Sequence, residues 1–140
     1  MLEIVAARTP SQPEIRCGFY YEDRWISPYL RADFVLPTGN HFLEFEVYAP
    51  PFVVFDGARL LVRMGLMPLL ESEPMRRDQS QRHRIELPTS GQSETVSIVL
   101  RSSVRWRAPD PDRRLLGLVL PSFHCVAESA SAAISMRNAA

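Results

Sequence analysis

Aromatic and charged side chains are concentrated in residues 18–25, whose sequence is GFYYEDRW. Aromatic faces stack on the C–H side of sugar rings, and carboxylate and guanidinium groups bind hydroxyls directionally. This segment could therefore form a sugar-binding platform, with a tryptophan further along the chain as an additional ring. The candidate ligand contacts are Tyr20, Tyr21, Glu22, Arg24 and Trp106.

The same aromatic residues also have a purely structural interpretation. Phe19 and Trp25 could close one end of a β-sheet core, because tryptophan is highly buried on average. We expect this structural role for Phe19 and Trp25, whereas both roles stay open for Tyr20 and Tyr21. Trp106 is flanked by arginines, which permits cation–π contacts, but we expect it to pack in a core or loop rather than face a ligand.

A second informative segment, residues 108–120, reads APDPDRRLLGLVL. Its two prolines exclude a helix interior, and the aliphatic run that follows predicts a buried strand. We expect Asp112 and Arg114 at the start of this strand to form a structural pair rather than to contact a ligand. Gly117 is expected to permit a close backbone approach in the strand.

Known catalytic and nucleotide-binding motifs are missing from the sequence, which contains no GxSxG, Walker loop, GxGxxG, HExxH or CxxC. The three histidines are widely spaced and do not form a ligand pattern. A sandwich could still gather two of them with Glu44 or Glu86 around a metal, as in a small cupin-like enzyme. We give this alternative less weight and expect no metal, no cofactor and no catalysis.

Overall charge narrows the classes of partner. The 140 residues include 16 basic and 16 acidic side chains, so the formal net charge at pH 7 is zero. This balance argues against a nucleic-acid or anionic-membrane binder. No apolar run approaches the ~20 residues that span a membrane, and the N-terminal sequence does not resemble a signal peptide. We therefore expect no nucleic-acid partner, no membrane span and a cytoplasmic location.

Cys17 and Cys125 are the two cysteines of the chain. Two cysteines are too few for a disulfide framework. They could pair if the first and last strands are neighbours, but we expect two reduced, buried thiols.

Prolines and glycines divide the chain into short segments, which disfavours a helical bundle. The clearest strand is HFLEFEVYAP, where Leu43, Phe45 and Val47 alternate with outward-facing residues. Further β-favourable segments are residues 29–36, 52–55, 59–64, 83–87, 95–100 and 114–120. The pattern predicts an all-β, antiparallel, jelly-roll-like β-sandwich of about seven to eight strands. Its predicted parts are an N-terminal arm (1–16), the sandwich domain (17–125) and a flexible C-terminal tail (126–140).

Residues 18–25 and 108–120 together resemble a small bacterial β-sandwich module. Such modules lie beside, or are fused to, glycosyltransferases and related enzymes of surface-polysaccharide assembly. The motif residues matched here are Gly18, Phe19, Glu22, Trp25, Asp112, Arg114, Leu116 and Gly117. The mid-chain segment VRMGLMPL departs from the pattern, since it lacks the Asn-Gly turn that such modules often carry. The resemblance implies a jelly-roll fold and a non-catalytic accessory role in glycan biosynthesis.

Three hypotheses for function follow from these observations. The first is a carbohydrate-binding-like module that recognises a glycan for a glycosyltransferase or another biosynthetic enzyme. The second is a protein-interaction or homo-oligomerisation scaffold without a sugar site. The third is the metal-dependent enzyme, to which the histidine spacing gives little support.

Overall fold

The computed structural model describes residues 10–128, and nearly all of the regular secondary structure in this part of the chain is β-strand. The strands are β1 (Glu14–Phe19), β2 (Trp25–Leu36), β3 (His41–Ala49), β4 (Leu60–Met64), β5 (Met67–Glu71), β6 (Gln79–Glu86), β7 (Glu94–Ser102), β8 (Trp106–Arg107), β9 (Leu115–Leu116) and β10 (Leu118–Ala127). A 3₁₀ helix over Val53–Phe55 interrupts them. The all-β, antiparallel prediction is confirmed. No helix within residues 10–128 is long and apolar enough to cross a membrane.

A corner in β2 folds the sheet into two layers. The strand order is β5–β4–β7–β2–β10–β3–β6, and β1 also pairs with β2. Residues 29–36 of β2 pair with β7, whereas Trp25 and Ile26 pair with β10. The first layer is therefore β5–β4–β7–β2–β1, and the second layer is β10–β3–β6. Phe34 of β2 meets Phe123 of β10 between the layers, with ring centroids 5.3 Å apart.

Alternation along β3 explains how the second layer presents two different faces. Successive side chains of a strand point to opposite sides, so one set faces the core and the other faces solvent. The core set, Leu43, Phe45 and Val47, is buried. The outer set is Phe42, Glu44, Glu46 and Tyr48, all of which are partly exposed. Both sets therefore follow the alternation predicted from the sequence.

Two predicted strands differ from the structure. Residues 52–55 include the 3₁₀ helix instead of a strand, because the preceding Pro50–Pro51 offers no backbone N–H for sheet pairing. The final strand begins at Leu118 rather than at residue 114. Leu115 and Leu116 instead pair with Trp106 and Arg107 in a separate two-stranded ribbon.

Strand pairing also runs past both limits of the predicted domain 17–125, since β1 begins at Glu14 and β10 ends at Ala127. Residues 1–9 of the predicted arm and 129–140 of the predicted tail lie outside the described residues.

The two cysteines do not pair: both are free thiols, and they differ in exposure. Cys17 is exposed on β1, so the expectation that it is buried was wrong. A register shift on either side of Cys17 interrupts the pairing of β1 with β2, and Ile15 and Phe19, rather than Cys17, are the β1 side chains that pack against the core. Cys125 is fully buried, and burial raises the pKa of its thiol to about 12.

Candidate functional site

Arg114 brings the two sequence motifs together. Its Nη1 and Nη2 donate to the two carboxylate oxygens of Asp23 at 3.2 and 2.7 Å. Its Nε and Nη2 donate to Asp112 at 2.6 and 2.8 Å, and its guanidinium lies 4.6 Å from the centre of the Tyr20 ring. These bonds hold the pKa of both carboxyl groups below their usual value and raise that of Arg114. Through Arg114, the side chains of Asp23 and Asp112 thus join the β1–β2 turn to the segment before β9.

Arg24 is also engaged within the fold. It has a positive φ of 61° in the turn between β1 and β2, and its backbone N–H donates to Tyr20 O at 2.8 Å. Its Nε donates to the backbone carbonyl of Leu120 at 2.8 Å, and its guanidinium lies 5.0 Å from the centre of the Phe19 ring. Arg24, which the sequence predicted as a ligand contact, therefore links the β1–β2 turn to β10 within the protein.

Two glycines of the motifs lie where another strand approaches closely. A Cβ on Gly18 would be 2.1 Å from the Tyr29 carbonyl oxygen, and Gly18 also has a φ of +89°. A Cβ on Gly117 would be 2.9 Å from Cβ of Ser102 and 3.0 Å from the Ser27 carbonyl oxygen. Real Cβ atoms do not tolerate such distances without a shift of the neighbours, so both positions require glycine.

Trp106 belongs to an aromatic cluster with Trp25, Phe52 and Phe55. Its ring stacks on Phe52 at 5.0 Å between centroids and lies 5.9 Å from Trp25 and 5.8 Å from Phe55. Phe55 is fully buried, whereas Phe52 is 45% exposed. The sequence marks FVVF, residues 52–55, as an apolar segment after two prolines, but it does not show that Phe52 packs on Trp106.

Tyr21 and Glu22 are the exposed members of the predicted platform. Tyr21 is 68% exposed and meets Phe19 edge-to-face at 4.9 Å. A small cavity of about 200 Å³ adjoins Tyr21, Phe19 and Arg24. Trp106 does not line this cavity. Of the predicted ligand contacts, Tyr21 and Arg24 therefore share this cavity, whereas Tyr20 packs against Arg114 and Trp106 lies in the aromatic cluster.

A larger open groove, of about 560 Å³, lies on the second layer. We call it the second-layer groove; its polar lining comes from the side chains of Glu44, Glu46, Arg82, Arg84, Ser122 and His124. These residues fall in two cross-strand rows, because Arg84 and His124 pair in register with Glu44, and Arg82 and Ser122 pair with Glu46.

Ion pairs hold the rows of the second-layer groove in place. Glu44 accepts from His124 Nε2 at 3.1 Å and lies 3.2 Å from Arg84 Nε. Glu46 accepts from Arg82 Nε at 2.8 Å. Each carboxylate is thus paired within its row and keeps further lone pairs that can accept a hydrogen bond from a ligand.

Aromatic rings lie on β3 beyond both ends of these two rows. The Arg84 guanidinium lies 4.0 Å from the centre of the Phe42 ring. At the other end, the Tyr48 hydroxyl donates to Asp78 at 2.6 Å, and this bond raises the pKa of Tyr48. The sequence predicted that Glu44, Glu46 and Tyr48 share a face, but it could not show which strands lie beside them.

The sequence left open that two of the three histidines bind a metal together with Glu44 or Glu86. His124 and Glu44 are in contact, but residues 10–128 contain no group of three or more His, Cys, Asp or Glu that could hold an ion. His83 instead packs its ring 5.1 Å from Phe45, and burial lowers its pKa. His41 is buried, with Nε2 2.8 Å from the Pro37 carbonyl oxygen.

Comparison with known proteins finds no matching family model and no matching curated protein. Among solved structures, a family GH115 4-O-methyl-α-glucuronidase with specificity for decorated arabinogalactans is similar over 89% of this chain and 17% of its own, with 17% identity and a TM-score of 0.48. The ANX2 ectodomain from Arabidopsis thaliana is similar over 73% of this chain and 29% of its own, with 8% identity and a TM-score of 0.46.

A carbohydrate-binding module from Cellvibrio mixtus lichenase 5A, in complex with cellotriose, is similar over 86% of this chain and 89% of its own. Its identity to this chain is 12% and its TM-score is 0.41. The chain thus spans 17% and 29% of the first two structures, but most of the third. At these identities and TM-scores the likenesses carry no inference about ligand or activity.

Proposed function

We propose that the protein is a non-catalytic, carbohydrate-binding-like module whose glycan site is the second-layer groove. The observation that carries this proposal is the set of ion-paired carboxylates and guanidinium groups along one open groove of about 560 Å³. That volume is in the range of ligand sites, about 300–1,000 Å³.

The chemistry of a sugar hydroxyl suits this lining, because a hydroxyl both donates and accepts a hydrogen bond. A vicinal diol can donate to a carboxylate such as Glu46 while accepting from a guanidinium such as Arg82. The two groups lie side by side, 2.8 Å apart, so one diol can reach both.

The length of the outer face of β3 supports an oligosaccharide rather than a single sugar. Phe42 and Tyr48 are six residues apart on the strand, which corresponds to about 20 Å. The Tyr48 ring could stack on a sugar face at one end of a bound chain, whereas the Phe42 ring already contacts the Arg84 guanidinium.

An accessory role without catalysis agrees with how the carboxylates are engaged. Glycoside hydrolysis requires two carboxyl groups with different tasks, one of them a proton donor. Both Glu44 and Glu46 are already bound by guanidinium groups. We further propose a cytoplasmic role beside a glycosyltransferase or another enzyme of polysaccharide assembly, for which the resemblance of the two motifs is the support.

A glycan array probed with the wild-type chain and two variants tests this proposal. The double variant Glu46→Gln/Arg82→Gln removes both charges of one row, and we expect it to weaken glycan binding about tenfold or more. Tyr21→Ala tests the platform predicted from the sequence, and we expect it to bind as the wild type does. Glu73→Gln/Arg76→Gln is the matched control, since both residues are exposed and line none of the grooves described above.

Each outcome of the array is informative. Loss of binding in Tyr21→Ala, with the groove variant unaffected, would move the site to the β1–β2 turn. Absence of binding to any glycan by the folded wild-type chain would overturn the proposed function. The alternative of a protein-interaction scaffold draws on a different surface, the exposed leucines of the β4–β5 hairpin.

A further inference from the structure

A second groove, of about 490 Å³, lies beside the β4–β5 hairpin on the first layer. Four leucines and two arginines supply most of its lining: Leu61, Leu66, Leu69, Leu70, Arg63 and Arg101. We call it the first-layer groove. Leu66 is 93% exposed and Leu61 is 44% exposed, so the apolar surface is open to solvent. Isolated exposed leucines are ordinary, but leucines that share a groove indicate an interaction site.

The polar part of the first-layer groove is positively charged. Among residues 10–128, neither Arg63 nor Arg101 forms an ion pair with a carboxylate. The one acidic residue in the lining, Glu71, is bound by Arg59 at 3.1 Å. The Nε of Arg63 is buried and has no hydrogen-bond partner in the described structure. Since neither arginine is ion-paired within these residues, an incoming carboxylate would find free guanidinium donors in the groove.

The hairpin also offers an unpaired strand edge next to this groove. β5 is the last strand in the order, so within the described residues no strand pairs with its outer side. Pro68 interrupts the backbone N–H groups of β5, but the other residues of the strand keep theirs. An extended segment could add to such an edge through backbone hydrogen bonds while its side chains enter the groove.

From these three features we propose that the first-layer groove docks an extended peptide segment of a partner protein that carries both acidic and bulky aliphatic residues. Its carboxylates would pair with Arg63 and Arg101, and its aliphatic side chains would pack on the leucines. A second copy of this chain is disfavoured because it would bring arginines against arginines. An anionic polysaccharide is disfavoured because the groove has leucines and no aromatic ring on which a sugar could stack.

Selection from a displayed library of random twelve-residue peptides tests the proposal on the full chain. Peptides are selected on the wild type alone, and the enriched peptides are then measured on the wild type and on Leu66→Ser/Arg101→Glu. Both residues are exposed, and circular dichroism establishes that the variant is folded. Val53→Ser/Arg76→Glu is the matched control, because it makes the same kinds of change at exposed residues outside the groove.

We expect the enriched peptides to combine Asp or Glu with Leu, Ile or Val. We also expect the groove variant to bind them at least about tenfold more weakly than the wild type and the control do. Their affinity should fall as NaCl is raised, because exposed charge pairs are screened. Polygalacturonate is measured in parallel as an anionic polysaccharide. Enrichment of neutral or basic peptides, equal binding by the groove variant, or groove-dependent binding of polygalacturonate without peptide binding would each overturn the proposal.

Discussion

At the scale of single residues, Arg114 shows how one side chain can take up two carboxylates that are far apart in sequence. Asp112 is two residues away, whereas Asp23 lies ninety-one residues earlier in the chain. The pairing of Asp112 with Arg114 can be suggested from sequence, because the two are close neighbours. The bond to Asp23 depends on β10 pairing with β2, which a local pattern does not reveal.

Replacing Arg114 by Gln should lower the melting temperature by several degrees at neutral pH, because Asp23 and Asp112 lose a shared partner that is only 24% exposed. The difference in melting temperature between the wild type and Arg114→Gln should become smaller in acid. Both carboxyl groups have pKa values lowered from 3.8, so the unfolded chain takes up protons first as the pH falls through that value. Their stabilisation is therefore present above 3.8 and disappears below it.

Thermal melts of the wild type and Arg114→Gln from about pH 7 to about pH 3 measure this difference. Arg113→Gln is a suitable control, since the Arg113 side chain is exposed and bonds to neither Asp23 nor Asp112. A gap between wild type and Arg114→Gln that stays constant to the lowest pH would contradict the assignment.

Substitution of three glycines by alanine separates steric crowding from backbone conformation. In Gly117→Ala the new Cβ is crowded by its neighbours but the backbone φ is not positive, so the change should lower the unfolding free energy by about 1–3 kcal/mol. In Gly57→Ala the new Cβ has no neighbour within 4 Å, but the backbone keeps a φ of +82°, so the unfolding free energy should fall by about 1 kcal/mol. Gly18→Ala meets both and should be the most destabilised of the three. Urea denaturation measures the order, and Gly117→Ala as stable as the wild type would disprove the close approach.

At the scale of elements, the 3₁₀ helix carries aromatic residues across one end of the sandwich. Phe55 reaches the core, while Phe52 lies over Trp106 at the start of the β8–β9 ribbon. A strand at this position could not place both rings in this way, because residues three apart in a strand point to opposite faces. The presence of a 3₁₀ helix instead of the predicted strand therefore determines how Trp106 is covered.

The stability of this end should depend more on Trp106 than on Phe52. Trp106→Ala removes a half-buried ring that contacts three others, and it should cost about 2 kcal/mol or more. Phe52→Ala removes a more exposed ring and should cost about 1 kcal/mol, while shifting tryptophan fluorescence to longer wavelength as Trp106 gains contact with water. Urea unfolding followed by fluorescence gives both quantities. Equal stability of Trp106→Ala and wild type would show that the aromatic cluster does not stabilise the fold.

At the scale of the whole molecule, the two layers give the cysteines opposite environments. Cys17 lies on β1 at the edge of the first layer and is exposed, whereas Cys125 lies in the core on β10. The bridge between Ser11 and Cys125 brings the residues just before β1 beside β10, but it aligns serine rather than Cys17 with the buried thiol.

Thiol titration with Ellman's reagent at about pH 8 should detect one fast-reacting thiol in the folded protein and two after denaturation. Cys125 should not react in the folded state, because it is buried and its pKa of about 12 leaves almost no thiolate at this pH. Cys17→Ser should abolish the fast reaction. Detection of no free thiol in the denatured, unreduced protein would instead demonstrate a disulfide.

The all-β class and the alternation of buried and outer faces along β3 could be predicted without a structure, because both depend on the period of side chains along a strand. The three-dimensional fold sets the contacts of the two motifs: Arg114 binds Asp23, Arg24 binds the Leu120 carbonyl, and Tyr21 and Trp106 lie in separate surroundings. It also decided which side chains flank Glu44 and Glu46. These contacts join residues distant in sequence, and strand order and register, which local patterns do not encode, bring them together.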